Sequence, residues 1–165
     1  MTDLKSTPVP TSVDPAAWSL SVDGRVAEPH RFDRRALLDL ADTSLEDDFA
    51  CAEGWTADGL RWEGVDLTTI LSRVRPDEGA TAALVHGMDE GYACGLPLER
   101  LETGLLALRL DGEALPVEHG GPARLVLPGD GDCWEGVKWV EAIEILDEVP
   151  PEADTARELA LSRLD

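Results

Sequence analysis

Apolar residues recur along this chain at two spacings, and each spacing predicts an element. In Trp18-Ser19-Leu20-Ser21-Val22 every second residue is apolar, as in a strand with one buried face. Asp23-Gly24 then turns the chain into Arg25-Val26, a hairpin-like signal. Asp33 is placed to cap a short helix over 34–41 whose apolar face is Leu37, Leu38 and Leu40. A strand is expected from Leu45 to Cys51. After Asp66 comes the clearest helix, because Leu67, Ile70, Leu71 and Val74 fall on one stripe of a 3.6-residue period. Arg75-Pro76-Asp77-Glu78-Gly79 ends it.

Beyond it, Ala82–His86 reads as a strand, Gly87–Gly91 as a turn into a second strand near Tyr92–Gly95, and Pro97–Leu101 as a short helix. Leu105–Leu110 is an apolar run meeting Asp111-Gly112, another tight-turn signal. Arg124–Leu127 is a buried strand ended by Pro128-Gly129, and the β-branched run Val137–Leu146 is a further strand. Pro150-Pro151 precedes a final helix over 153–164, with Ala156, Leu159, Ala160 and Leu164 inward. Many short strands and few helices predict an α+β domain that is mainly β. That domain is expected over 17–149, between an extended lead-in over 1–16 and a C-terminal helix over 150–165.

Charge changes the picture more than length does. The 165 residues suit one domain, but 34 acidic residues against 14 basic ones give a net charge of −20. Such a field repels nucleic acid and anionic membranes, so neither is an expected partner. Lys5 and Lys138 are the only lysines, and the acid is dispersed rather than gathered in a tail. This pattern suggests a protein kept soluble in a halophilic cytosol, the alternative being a merely acidic protein. The N-terminus has no apolar signal-peptide core and no twin-arginine pattern, and no apolar run approaches a membrane span. A cytoplasmic location is therefore expected. Cys51, Cys94 and Cys133 are odd in number, widely spaced and free of any CxxC pair, which supports neither a disulfide framework nor a zinc site.

Three loop regions hold the unusual residues: Cys51–Trp55, His86–Tyr92, and His119–Arg124 together with Asp130–Lys138. Cys51 closes an apolar strand beside a Gly turn. Its sulfur reads either as a small buried filler or as a thiolate aimed at something bound. Arg124 and Lys138 both adjoin predicted strands in a chain short of cations, and a cation near a core calls for an anionic partner. Either the abundant carboxylates supply it, or a bound phosphate-like anion does. Gly120, Gly121, Gly129, Gly131 and Gly136 would let backbone N–H groups approach such an anion.

An ordered series of motifs from Trp18 to about Asp147 resembles the molybdopterin-binding domain of the sulfite oxidase-like oxidoreductases. It comprises Trp18…Val22-Asp23-Gly24, Phe49-Ala50-Cys51-Ala52-Glu53-Gly54-Trp55 and Trp62-Glu63-Gly64-Val65. Gly91-Tyr92…Leu96-Pro97-Leu98, Leu105-Leu106-Ala107…Asp111-Gly112…Leu115-Pro116, His119-Gly120-Gly121-Pro122-Ala123-Arg124-Leu125-Val126…Pro128 and Lys138-Trp139-Val140 follow. The resemblance implies the sulfite oxidase-like molybdopterin-binding fold, with molybdenum on molybdopterin as cofactor. It implies Cys51 as the protein's sulfur ligand to the metal, a bond suited to a soft thiolate. By the same likeness Asp89 would contact the pterin, His119 and Arg124 would hold its ring or phosphate, and the backbone at Gly136 with Lys138 would complete the cradle. Trp55 would line the substrate side.

The implied activity is oxygen-atom transfer to or from a small sulfite- or sulfoxide-like molecule, with an external electron-transfer partner. The alternative is a non-catalytic domain of this fold acting as a pterin carrier or interaction module. Three departures from the family pattern stand out. Thr7–Pro15 lacks the His and Arg that usually reach the pterin, Trp134-Glu135 stands where the family tends to carry a basic residue before Lys138, and no immunoglobulin-like C-terminal domain is expected. The sequence sets no oligomeric state.

Overall fold

The computed structural model describes residues 14, 18–50, 56–88, 92–127, 137–150 and 153–155, without the side chains of 46–50 and 56–60. Ten strands and three short helices are seen among them, the mainly β, α+β architecture expected. The first sheet contains β1 (Ser19–Gly24), β2 (His30–Asp33), β5 (Ala82–Gly87), β6 (Ala93–Pro97) and β10 (Val140–Leu146), in the order β2-β1-β10-β5-β6. Only β1 and β10 run parallel, pairing Ser21 with Ala142 and Gly24 with Ile145. The second sheet contains β3 (Thr43–Ala50), β4 (Thr56–Asp66), β7 (Leu105–Leu110) and β8 (Glu113–Ala114), and β9 (Arg124–Val126) pairs with β7. The helices are α1 (Arg34–Leu40), α2 (Leu67–Val74) and α3 (Leu98–Leu101).

Local chemistry accounts for most boundaries. Asp33 accepts a hydrogen bond from Ala36 N at 2.7 Å and starts α1 as a side-chain cap. In α2 the predicted stripe of Leu67, Ile70, Leu71 and Val74 is fully sequestered, and Arg75 ends the helix at φ 53°. Asp66 starts α2 without capping it, since its carboxylate instead accepts from Thr43 Oγ1 at 3.0 Å. Asp111 and Gly112, at φ 51° and 85°, form the two-residue hairpin turn between β7 and β8.

Several expectations need correction. The strand opposite β1 is β2, not Arg25-Val26. Gly24 (φ 94°) packs against Ile145 O, so Arg25 N donates to that carbonyl at 2.7 Å and Val26 bridges Pro76 instead. Leu38 is an exposed residue of α1, and only Leu37 of the predicted face is fully buried there. β4 went unpredicted because Asp58-Gly59 reads as a turn. β3 pairs with it on either side of a register shift at Asp58-Gly59, and β7 pairs with its second half from Trp62 to Asp66. Lys138 and Trp139 precede β10 rather than lying within it, since Trp139 has φ 54°. The predicted strand Ala82–His86 is β5, so His86 lies in a strand rather than in the loop to Tyr92, and its ring pairs with the Glu144 carboxylate. Residues 153–155 do not begin a regular helix: Thr155 N donates to Ala93 O, and its hydroxyl accepts from Ala93 N. The rest of that proposed helix lies outside the described residues.

The main core joins both sheets and the helices through Leu20, Val22, Leu37, Ile70, Leu106, Leu125, Val140 and Ile143. Cys94 is buried in it as a filler. A smaller cluster of Trp62, Leu105, Ala107, Leu110, Leu115 and Val126 lies on the second sheet. Among the described residues no helix is long and apolar enough to cross a membrane.

Two glycines separate steric crowding from backbone preference. A Cβ on Gly64 would lie 1.9 Å from Leu106 O, so Gly64→Ala is expected to cost about 2 kcal/mol or more in denaturant titration. Gly112 has φ 85° and open space around it, so Gly112→Ala should cost about 1 kcal/mol, the left-handed strain alone.

Candidate cofactor site

The site is assembled where the segment 117–125 meets 137–140. Val117–His119 forms one turn of 3-10 helix, and Gly120 leaves it at φ 107°. Backbone hydrogen bonds then lace the two segments: Trp139 N to Gly120 O at 3.0 Å, Val140 N to Ala123 O at 3.0 Å, and Leu125 N to Val137 O at 2.9 Å. The Trp139 indole N–H donates to Val117 O at 2.7 Å. Met88 N donates to Trp139 O at 2.7 Å, which ties the end of β5 to the same junction.

Three side chains are brought together here. Arg124 opens β9, is 2% exposed, and donates from Nη1 to His119 O at 3.2 Å. Its guanidinium carbon lies 5.4 Å from the centroid of the Trp62 ring. Lys138 is half-buried, with Nζ 5.8 Å from the Trp139 ring centroid. Gly120 lets the two cationic stems stand side by side. A Cβ there would lie 3.0 Å from Lys138 Cγ and 3.2 Å from Arg124 Cδ, besides being strained at φ 107°.

His119 completes the group and is buried. Burial lowers its pKa below the ordinary histidine range. Neighbouring Glu118 opposes that shift, while Lys138 and Arg124 add to it. At neutral pH the ring is therefore uncharged and offers one N–H donor and one acceptor nitrogen. Its Nδ1 is buried with no hydrogen-bond partner among the described residues.

The expected trio His119, Arg124 and Lys138 thus converges. Cys51, Trp55, Asp89 and Gly136 lie outside the described residues, and so does Cys133. Trp62 was missed as a neighbour of the site. The signal was a tryptophan between Arg61 and Glu63, so that the alternation of β4 turns the indole away from two charged residues.

Fold and site together define a mainly β domain in which buried His119 and Arg124 and half-buried Lys138 converge around Gly120. The chain belongs to the oxidoreductase molybdopterin binding domain family, whose model matches residues 6–153. It is 31% identical over 158 residues to the protein-methionine-sulfoxide reductase catalytic subunit MsrP of Gluconobacter oxydans, covering 83% of this chain and 49% of that protein. It is 32% identical over 145 residues to the uncharacterized oxidoreductase YuiH of Bacillus subtilis, covering 87% of this chain and 72% of YuiH. Among solved structures, the sulfane dehydrogenase SoxCD of Paracoccus pantotrophus superposes with a TM-score of 0.76 at 26% identity, over 82% of this chain and 40% of that one. The chain thus spans about half the length of the Gluconobacter relative.

Molybdopterin with molybdenum is the cofactor of this family, and the described residues fit it. Arg124 and Lys138 match a phosphate, neutral His119 with its orphaned nitrogen matches a polar ring edge, and Gly120 keeps the space between them clear.

His119 makes the site sensitive to acid. Its lowered native pKa means that the unfolded chain binds the proton more readily, so stability present above about pH 6.5 is lost as pH falls toward the native value. Thermal unfolding of cofactor-free protein between about pH 7 and pH 5 should therefore show a smaller fall in Tm for His119→Gln than for wild type. Equal falls would mean that the imidazole does not titrate differently in the folded state.

Proposed function

We propose that this chain is the molybdenum-cofactor domain of an oxidoreductase that moves an oxygen atom to or from a small sulfur-centred substrate, a sulfoxide or a sulfite-like oxyanion. The observation that carries the reading is the convergence of buried His119 and Arg124 with half-buried Lys138 around Gly120 in a member of this family. The names of the relatives support the sulfur substrate, since one is a methionine-sulfoxide reductase and another a sulfane dehydrogenase. The Gluconobacter protein is described as a catalytic subunit, which supports a separate electron-transfer partner for this chain as well.

When bound, the cofactor supplies two-electron redox chemistry coupled to oxygen transfer. In the reductive direction a sulfoxide takes up two electrons and two protons and leaves as the sulfide and water. The chain's own part is to bind, orient and shield. Arg124 and Lys138 give fixed positive charge to the phosphate, and the Arg fork adds direction to its hydrogen bonds. Neutral His119 hydrogen-bonds the pterin ring without adding a third repelling cation. Cys51 is assigned as the thiolate ligand to the metal, Asp89 as a pterin contact, the Gly136 backbone as part of the phosphate cradle, and Trp55 as the wall of the substrate pocket.

Elemental analysis of protein purified from a host that makes the pterin tests this reading. Near-stoichiometric molybdenum in wild type, lost in Cys51→Ser, is the expected result. Folded protein without molybdenum would overturn the enzyme reading and favour a cofactor-free module.

The net charge of −20 with two lysines supports a high-salt cytosol as the working environment. Carboxylates crowded on one small domain repel one another until salt screens them. Tm is therefore expected to rise steeply between low and molar salt, and a Tm no lower without salt would refute the assignment.

A further inference from the structure

An arginine has a long, rotamer-rich side chain, and a guanidinium recognises an anion only if its plane is held still. Three contacts hold Arg124. Its stem passes Gly120, its Nη1 donates to His119 O at 3.2 Å, and its head lies over Trp62 at 5.4 Å. Trp62 is fully buried, in the middle of a strand paired on both sides. Ala107 faces Arg124 across the β7–β9 ladder and packs in the same small cluster as Trp62. The indole is therefore immobile, anchored by the sheet rather than by the loops that carry the cationic residues.

We propose that Trp62 is a positioning residue for the cofactor: its ring face fixes the orientation of the Arg124 guanidinium. The proposal rests on the reading of Arg124 as a cofactor contact. A ring face attracts a cation through its quadrupole and leaves the charge on it undiminished, whereas a carboxylate in the same place would neutralise it. Trp62 also excludes water beneath the guanidinium, which strengthens its attraction for an anion on the other side. Loss of the ring would free Arg124 to sample other rotamers and blunt recognition without touching the cofactor directly.

Two measurements test this. In cofactor-free protein, the Arg124 side-chain Nε–H proton, assigned by its disappearance in Arg124→Lys, should be moved upfield by the indole ring current. It should move partly back in Trp62→Phe and fully in Trp62→Leu. In loaded protein, cofactor loss is followed by molybdenum content and by fluorescence of the released, oxidised pterin. Loss should be about tenfold faster in Trp62→Leu than in wild type, and intermediate in Trp62→Phe. Arg124→Lys combined with either tryptophan change should lose cofactor no faster than Arg124→Lys alone. The Phe variant carries this comparison if the Leu variant does not fold. Additive losses, or an unshifted Arg124 resonance in wild type, would overturn the role of Trp62 alone. Wild-type protein without cofactor would overturn the functional reading and the role of Trp62 with it.

Discussion

The backbone at Trp139 is the constraint on which the site depends. A bulky residue at φ 54° is strained by about 1–2 kcal/mol, and it persists only where its surroundings over-determine it. Here they do. Its N–H is bound to Gly120 O, its carbonyl receives Met88 N, and its indole reaches Val117 O. These bonds join three segments far apart in sequence: the turn after the 3-10 helix, the end of β5, and the entry to β10. A relaxed Trp139 would continue β10 backward as an ordinary strand. Lys138 would then leave its place beside Gly120, and the ladder bond from Leu125 N to Val137 O would be lost.

Electrostatics within that frame follows from how little positive charge the chain has to spend. Arg124 is almost fully buried and Lys138 half so, and both lie beside His119. Burial above all keeps the imidazole neutral, exposed Glu118 opposes it, and Lys138 and Arg124 add smaller contributions in the same direction as burial. A neutral histidine whose Nδ1 has no partner among the described residues, beside a buried Arg and a half-buried Lys, is a poor arrangement without an anion. It becomes a good one once an anion with polar ring edges is bound. The same argument explains Gly120. Any side chain there would push apart the two cationic stems, and its φ disfavours every residue with a Cβ.

Much of this was legible in the sequence wherever local chemistry decides. The α2 stripe and the Asp33 cap declare themselves, and so does the Asp111-Gly112 turn, because each needs only neighbours within a few residues. The ordered motifs carried the family. What escaped was set by distant pairing. β4 looks broken at Asp58-Gly59, and there the ladder to β3 does shift register, yet pairing with β3 resumes on both sides of the shift and carries the strand on to Asp66. Val137–Val140 looks like the start of a strand and is bent by bonds to residues near 120. At the site, His119, Arg124 and Lys138 could be named singly. Their meeting depends on β9 joining β7 while Val137 closes on Leu125, and no periodicity encodes that. Trp62 was hidden for the same reason, being remote from Arg124 in sequence and beside it in the fold.

An acidic protein with an anionic cofactor would be self-defeating if every charge acted over the same range. In the high-salt cytosol proposed for this chain, the screening length shrinks to about 3 Å at 1 M salt, so the surface carboxylates exert no field on a ligand arriving from solution. Screening by mobile ions requires that ions reach the charges, and Arg124, at 2% exposure, is beyond their reach. The attraction exerted by buried Arg124 therefore survives the conditions that abolish repulsion at the surface. At low salt the order reverses: the field of a −20 chain reaches well into solution and opposes entry, while the pocket itself is unchanged. Burying the cations and exposing the carboxylates thus divides the work, solubility to the surface and recognition to the interior, and the indole of Trp62 is one means by which the interior keeps its charge in place.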